Sequence, residues 1–195
     1  MIKKIGKLYK RRKFYDVHIA FLILPLLLIP ILIELIFHYY QVNFFIKHQE
    51  EFLFGDILYI VLVRFILLDT ALFIFTHTKH PTNATLMHIV LLYLEITIIT
   101  ILYYAIVYYI FDVHKLFHLN SNFPSENLKI IKEHTFVTAF YISTVTFSTL
   151  GSGDWIPQTI NAMLAVSSEV ILGIVQSGIF ISIIIYGHQN REIKT

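Results

Sequence analysis

The chain has 195 residues, 56% of them hydrophobic, a mean hydropathy of +0.69 and only 14% charged side chains. A soluble domain of this length has too little interior for that load and for its twelve Tyr and seventeen Phe, whereas a bilayer accepts apolar side chains at the protein surface. There is no cysteine, which excludes a disulfide framework and any Cys-based metal or redox site.

The net charge of +2 hides an asymmetry. Seven of the fifteen Lys and Arg residues lie in the first thirteen positions: Lys3, Lys4, Lys7, Lys10, Arg11, Arg12 and Lys13. Directly before a long apolar stretch, such a run marks a cytoplasmic membrane flank rather than a nucleic-acid site. With Ile2, Ile5 and Tyr9 among its lysines, it reads either as an interfacial helix on anionic lipid or as a disordered basic tail. The apolar run that follows, Val17–Phe37, is too long for a signal peptide and has no small-residue cleavage site at its end. It reads as a retained span, with Pro25 and Pro30 expected to kink it.

Crossing about 30 Å of hydrocarbon takes roughly 20 helical residues. By that measure the second span is Ile57–Phe75, interrupted by Arg64 and Asp69, and a polar loop from Thr76 to Thr85 follows it. The third span is Met87–Phe111, with Glu95 inside it. A polar segment, Asp112–His134, leads to a shorter apolar stretch, Thr135–Leu150, and the fourth span is Ala162–Tyr186, with Glu169 near its start. The stretch from Thr135 is too short for a comfortable span and runs into Gly151-Ser-Gly-Asp154. It fits a re-entrant helix, because irregular backbone at membrane depth is tolerated only where protein buries it or where it lines water. With the N-terminus inside, ten Lys/Arg fall on the inner side and four on the outer. Both termini are therefore expected in the cytoplasm, with the re-entrant segment opening outward.

Thr144-Val-Thr-Phe-Ser-Thr-Leu-Gly-Ser-Gly-Asp154 resembles the pore signature of the potassium-channel superfamily, T-x-x-T-[VL]-G-[YF]-G-D, and the likeness extends to Glu169 and Gly173 in the next span. The competing reading of Gly-Ser-Gly-Asp alone is a surface turn between two spans. The resemblance implies a filter at Thr149, Leu150, Gly151, Ser152 and Gly153, whose backbone carbonyls bind dehydrated potassium ions; such filters are the standard illustration of the chemistry. Potassium would be held by oxygens of Thr149, Leu150, Gly151 and Ser152, with no cofactor beyond the permeant ion. Gly151 and Gly153 would permit the backbone angles that a β-carbon penalises, Thr149 would add a hydroxyl, and Leu150 would turn outward into packing. A helix from about Thr135 to Ser148 would aim its carbonyl end at a central cavity. Ser152 stands where the family has Tyr or Phe, which implies cation conduction with weaker discrimination against sodium, or a non-conducting subunit. Tyr141 is placed to donate to Asp154, which otherwise reads as a solvated carboxylate at the pore mouth.

One pore segment cannot enclose an axis, so the resemblance implies a homotetramer in the plasma membrane. The expected fold is all-α: four transmembrane helices, a re-entrant pore helix and a filter loop. Residues 1–85 would hold the basic N-terminus and two accessory helices, and residues 86–195 the pore module. Gly173, Ser177, Ile181 and Ile185 recur every four residues and are expected to line the cavity, with Gly173 as a hinge. The alternative makes Gly173, Ser177 and Gly178 a helix-packing surface. A lone Arg64 is no voltage-sensor array, and it is expected to pair with Glu95 or another acid; Asp69 lies about 140° away on the same helix. His77, His80 and His88 loosely suggest a membrane metal-enzyme, but the remaining histidines are scattered over both sides, and interfacial or loop histidines are the ordinary reading.

Overall fold

The computed structural model describes residues 27–77, 86–120, 134–151 and 153–192, with the side chains of 69–77, 86–89 and 186–192 left aside. The N-terminal basic run, the first part of the expected first span with Pro25, His80 and Ser152 lie outside the described residues. So do the side chains of Asp69, His77 and His88. In chain order the elements are α1 (Ile29–Tyr39), α2 (Asn43–Lys47), α3 (Gln49–His77), α4 (Leu86–Ile110), α5 (Val113–Leu116), β1 (Phe117–Leu119), α6 (Thr135–Phe147), β2 (Trp155–Pro157) and α7 (Ile160–Glu192).

The helices form where unbroken apolar runs let the backbone satisfy itself, as a non-aqueous surrounding requires. Two of them, Val90–Ile110 within α4 and Ile160–Ile185 within α7, are long and apolar enough to cross a membrane. At 29 residues, α3 has the length, but it carries Asp56 and Arg64 in its middle. Pro30 does not kink a helix interior as expected. It stands in the first turn of α1, where its missing N–H removes no intrahelical bond.

Residues 112–120, which follow α4, form regular structure despite their polar setting. Asp112, at φ +64°, caps the short α5 by accepting from the His114 N–H at 3.1 Å. The chain then enters β1, which pairs antiparallel with β2 in the register Phe117↔Pro157, His118↔Ile156 and Leu119↔Trp155. Asn120 N–H to the Asp154 carbonyl and Gln158 N–H to the Leu116 carbonyl, both 2.8 Å, extend the ladder. This ribbon clamps the exit of the glycine-rich loop before Thr159 caps α7 through its hydroxyl, 3.1 Å from the Ala162 N–H.

Packing joins both halves of the sequence. One buried cluster draws Ile31 from α1, Phe45 from α2, Ile60 from α3, Tyr108 from α4, Ile142 from α6 and Leu172 from α7. A second, toward the other end of the long helices, contains Leu68, Ile96, Phe180 and Ile183. The re-entrant candidate α6 lies chiefly against α4, and α3 runs along α7.

Candidate functional site

The glycine-rich loop begins where α6 ends. Leu150 N–H bonds to the Val145 carbonyl at 3.1 Å and Thr149 N–H to the Thr146 carbonyl at 3.0 Å, while Thr149 sits at φ +58°. Crossed bonds of this kind around a left-handed residue are a Schellman closure, in which glycine is the usual occupant. Here the residue is β-branched, so its backbone is sterically strained. The carbonyls of Val145 and Thr146 are consequently engaged, and the Phe147 carbonyl is turned toward α7. What α6 directs past its C-terminus is the negative end of its dipole rather than a set of free carbonyls.

Gly151 follows at φ +72°. Thr149 and Gly151, two residues apart, are both left-handed; Gly151 was expected to take such an angle, and Thr149 takes one without being glycine. Thr149, Gly151 and Gly153 are all exposed, and Leu150 is 79% exposed. Within this single chain Leu150 has no packing behind it, because the loop runs along the chain's edge. With Thr146, Trp155, Val166 and Val170, these residues line a depression of about 480 Å³. Asp154 accepts from the Tyr141 hydroxyl at 3.4 Å, a long contact at an exposed position.

Behind the loop lies a polar knot that the sequence does not announce. Glu169 on α7 is fully buried. The Tyr108 hydroxyl of α4 donates to its Oε2 at 2.8 Å, and Ser143 of α6 is in hydrogen-bond contact with its Oε1. Ser143 Oγ is also 2.9 Å from the Ile101 carbonyl on α4. A serine carries one proton. If Ser143 gives it to Ile101, the contact with Glu169 needs a proton on the glutamate. Beside the knot, the Tyr104 hydroxyl meets Ser168 Oγ at 2.7 Å, so α4, α6 and α7 are stitched at one level. Ser143, Tyr108 and Tyr104 were missed from sequence because hydroxyls in an apolar helix carry no spacing signal. An acid inside an apolar span, Glu169, was the available clue.

One turn beyond Glu169, Gly173 is buried, and a β-carbon there would lie 2.4 Å from the Phe147 carbonyl oxygen. Its smallness admits the end of α6. That is the packing role rather than a cavity-lining one. Ser177 is also turned inward, with its hydroxyl 3.4 Å from that of Tyr93. Only Ile181 and Ile185 of the expected stripe are exposed, at 57% and 52%. Each residue advances a helix by about 100°, so four-residue steps drift about 40° each and the four positions span about 120°. The stripe thus starts on the packed face and ends on the free one. The face exposed throughout is Ser167, Ile171, Ile174, Gly178, Ile181 and Ile185.

Arg64 is 1% exposed but does not pair with Glu95. Its guanidinium donates to the Gln176 side-chain oxygen on α7 and, at 3.4 Å, to the Ile96 carbonyl. Gln176 in turn donates to Thr97 Oγ1 at 2.8 Å. The reason is reach: Arg64 faces α7, and the residue that α7 presents there is a neutral amide.

Residues 96–186 match the family model described as an ion channel, a stretch just short of half the chain. The matched stretch runs from the middle of α4 through α6 and the loop into α7, and it agrees with the resemblance of Thr144–Asp154 to the potassium-channel superfamily. No curated protein and no solved structure matches the chain.

Proposed function

We propose that this chain, whose residues 96–186 carry an ion-channel domain, assembles as a homotetramer in the plasma membrane and conducts monovalent cations, potassium by preference. Four spans are formed by the helices ending at Tyr39 and beginning at Gln49, Leu86 and Ile160, with both termini in the cytoplasm. Residues 1–85 serve as the accessory part and 86–195 as the pore module. Thr149, Leu150, Gly151, Ser152 and Gly153 are the filter.

The observation that supports this reading most is the alternation at Thr149 and Gly151. Two left-handed residues on either side of Leu150 turn successive carbonyls in a repeating sense, which is how a strand of backbone presents oxygens to one axis. Strain at a β-branched residue persists only where the surroundings over-determine it, and it clusters at functional sites. Exposure of the loop and of Leu150 on one chain leaves a surface that neighbouring protomers around a fourfold axis would cover. The free face of α7, Ile171 to Ile185, would line the cavity and its cytoplasmic end as an apolar constriction. It replaces the stripe that includes Gly173 and Ser177.

The test is direct. Purified protein in liposomes, with potassium on one side and sodium on the other, should show a reversal potential displaced toward the potassium equilibrium potential. Permeation by anions, or silence from protein that cross-links to tetramers, would refute conduction. Cross-linking that stops at dimers would refute the assembly.

A further inference from the structure

Away from the channel loop, two acids meet where the first helices dock on the channel domain. Glu34 on α1 and Asp56 on α3 lie close enough for their carboxyls to interact. Asp56 is 4% exposed, and the hydroxyl of fully buried Tyr103, on α4, lies 3.1 Å from its Oδ1 and 3.2 Å from its main-chain oxygen. Each acid keeps one buried oxygen, Glu34 Oε2 and Asp56 Oδ2, with no hydrogen-bond partner. Among the described residues the ion pairs are His48–Glu51 and Lys115–Asp112, so neither of these acids meets a basic side chain. The other titratable groups at the seam are Tyr103 from α4 and Tyr59 on the helix of Asp56, whose rings stack 6.2 Å apart. His38 stands four residues after Glu34, with its ring against Tyr109 at 6.0 Å.

Asp56 is buried and Glu34 half-buried, and two neighbouring carboxylates so placed without a counter-cation strongly disfavour double ionisation. A positive charge must join them, and the number of available oxygens decides which kind. Hard metal cations take about six or more oxygen ligands. This seam offers two carboxyls, one main-chain carbonyl, and a phenol already committed as donor. A proton needs only two oxygens. We infer that Glu34 and Asp56 form a proton-binding site in which one proton is shared between the two carboxyls, with Tyr103 donating to Asp56. Glu34 lies five residues before the end of α1, Asp56 seven after the start of α3, and Tyr103 seven before the end of α4. At about 1.5 Å per residue, all three sit about 8–11 Å below the same ends of their helices. In the proposed orientation those are the outer ends. The site therefore joins the accessory helices to the ion-channel domain through a single hydroxyl, within about two turns of those ends.

The test needs no ion flux. Infrared spectra of the full chain in lipid, taken between about pH 5 and pH 9, are compared with those of the near-isosteric double variant Glu34→Gln/Asp56→Asn. The difference spectrum should contain one protonated-carboxyl C=O band per chain, lost as pH rises and accounted for by one proton. Glu95 and Glu169 are present in both samples and cancel. A flat carboxyl region would mean two permanent anions and would overturn the site, and two independent protonations would overturn the sharing. Should the double variant fail to fold, Glu34→Gln alone must displace the midpoint of the band, because the proton loses its second oxygen. An unmoved midpoint refutes the proposal.

Discussion

Replacing Gly173 by alanine tests how the loop is held. The new methyl carbon would lie 2.4 Å from the Phe147 carbonyl oxygen and 3.5 Å from the Phe147 carbonyl carbon. Ordinary non-bonded contact begins near 3.5 Å, so α6 and α7 must separate by about 1 Å at this point. They cannot do so freely, because Ser143 and Glu169 join the same two helices one turn away. Overpacking of this kind costs about 1–3 kcal/mol. A glycine-to-alanine change also favours the helix by about 1 kcal/mol, which would mask part of the loss. Gly178, on the same helix, supplies the control, since a β-carbon there meets nothing within 4 Å. The helix-propensity gain is common to Gly173→Ala and Gly178→Ala, so their difference isolates the contact. Gly173→Ala should be the less stable by about 1–3 kcal/mol. Trp155, the sole tryptophan, is buried in β2 beside the loop and reports unfolding by its fluorescence. In liposomes Gly173→Ala should also weaken discrimination between potassium and sodium, because the displaced end of α6 carries Thr149. Equal stability of the two variants would refute the close-approach argument.

Glu169→Gln should fold and conduct almost as the parent does, since an amide can both donate to Ser143 and accept from Tyr108. Glu169→Leu should lose about 1–3 kcal/mol by stranding buried hydroxyls, read by the same fluorescence assay. Gln176→Leu should cost a similar amount by removing the acceptor of a buried guanidinium, whereas Arg64→Met/Gln176→Leu should recover most of it; a double-mutant cycle with no coupling would show that the contact contributes nothing. Ser152→Tyr should raise the preference for potassium. A tenfold change needs only about 1.4 kcal/mol, comparable to one aromatic packing contact of about 0.5–1.5 kcal/mol, and the reversal potential measures it.

Much of the helical framework was legible from the sequence because its cause is local. Apolar runs of sufficient length must become helices where no water can satisfy the backbone, and α4, α6 and α7 fall within a few residues of the expected bounds at their starts. The loop at Thr149–Gly153 was legible for the same reason, since glycine spacing is a statement about backbone angles. Even there one angle was not announced. A Schellman closure at the end of α6 placed a strained residue at Thr149, which is not a glycine.

What the sequence could not assign is partnership between helices. Spacing gives the angle of a residue around its own axis but not the direction of its neighbours. Gly173 and Ser177 therefore read equally well as cavity lining or as packing, and only the placement of α6 and α4 against them decides. Arg64 pointed to an acid by charge, yet the side chain opposite it is Gln176. Glu169, Ser143 and Tyr108 stand far apart in sequence, and so do Glu34, Asp56 and Tyr103. Composition and periodicity determined that this chain makes long apolar helices with one glycine-rich break. Only the packing of those helices decided which polar groups share a proton, a bond or a close approach, because such contacts depend on the distance between elements and not on the order within them.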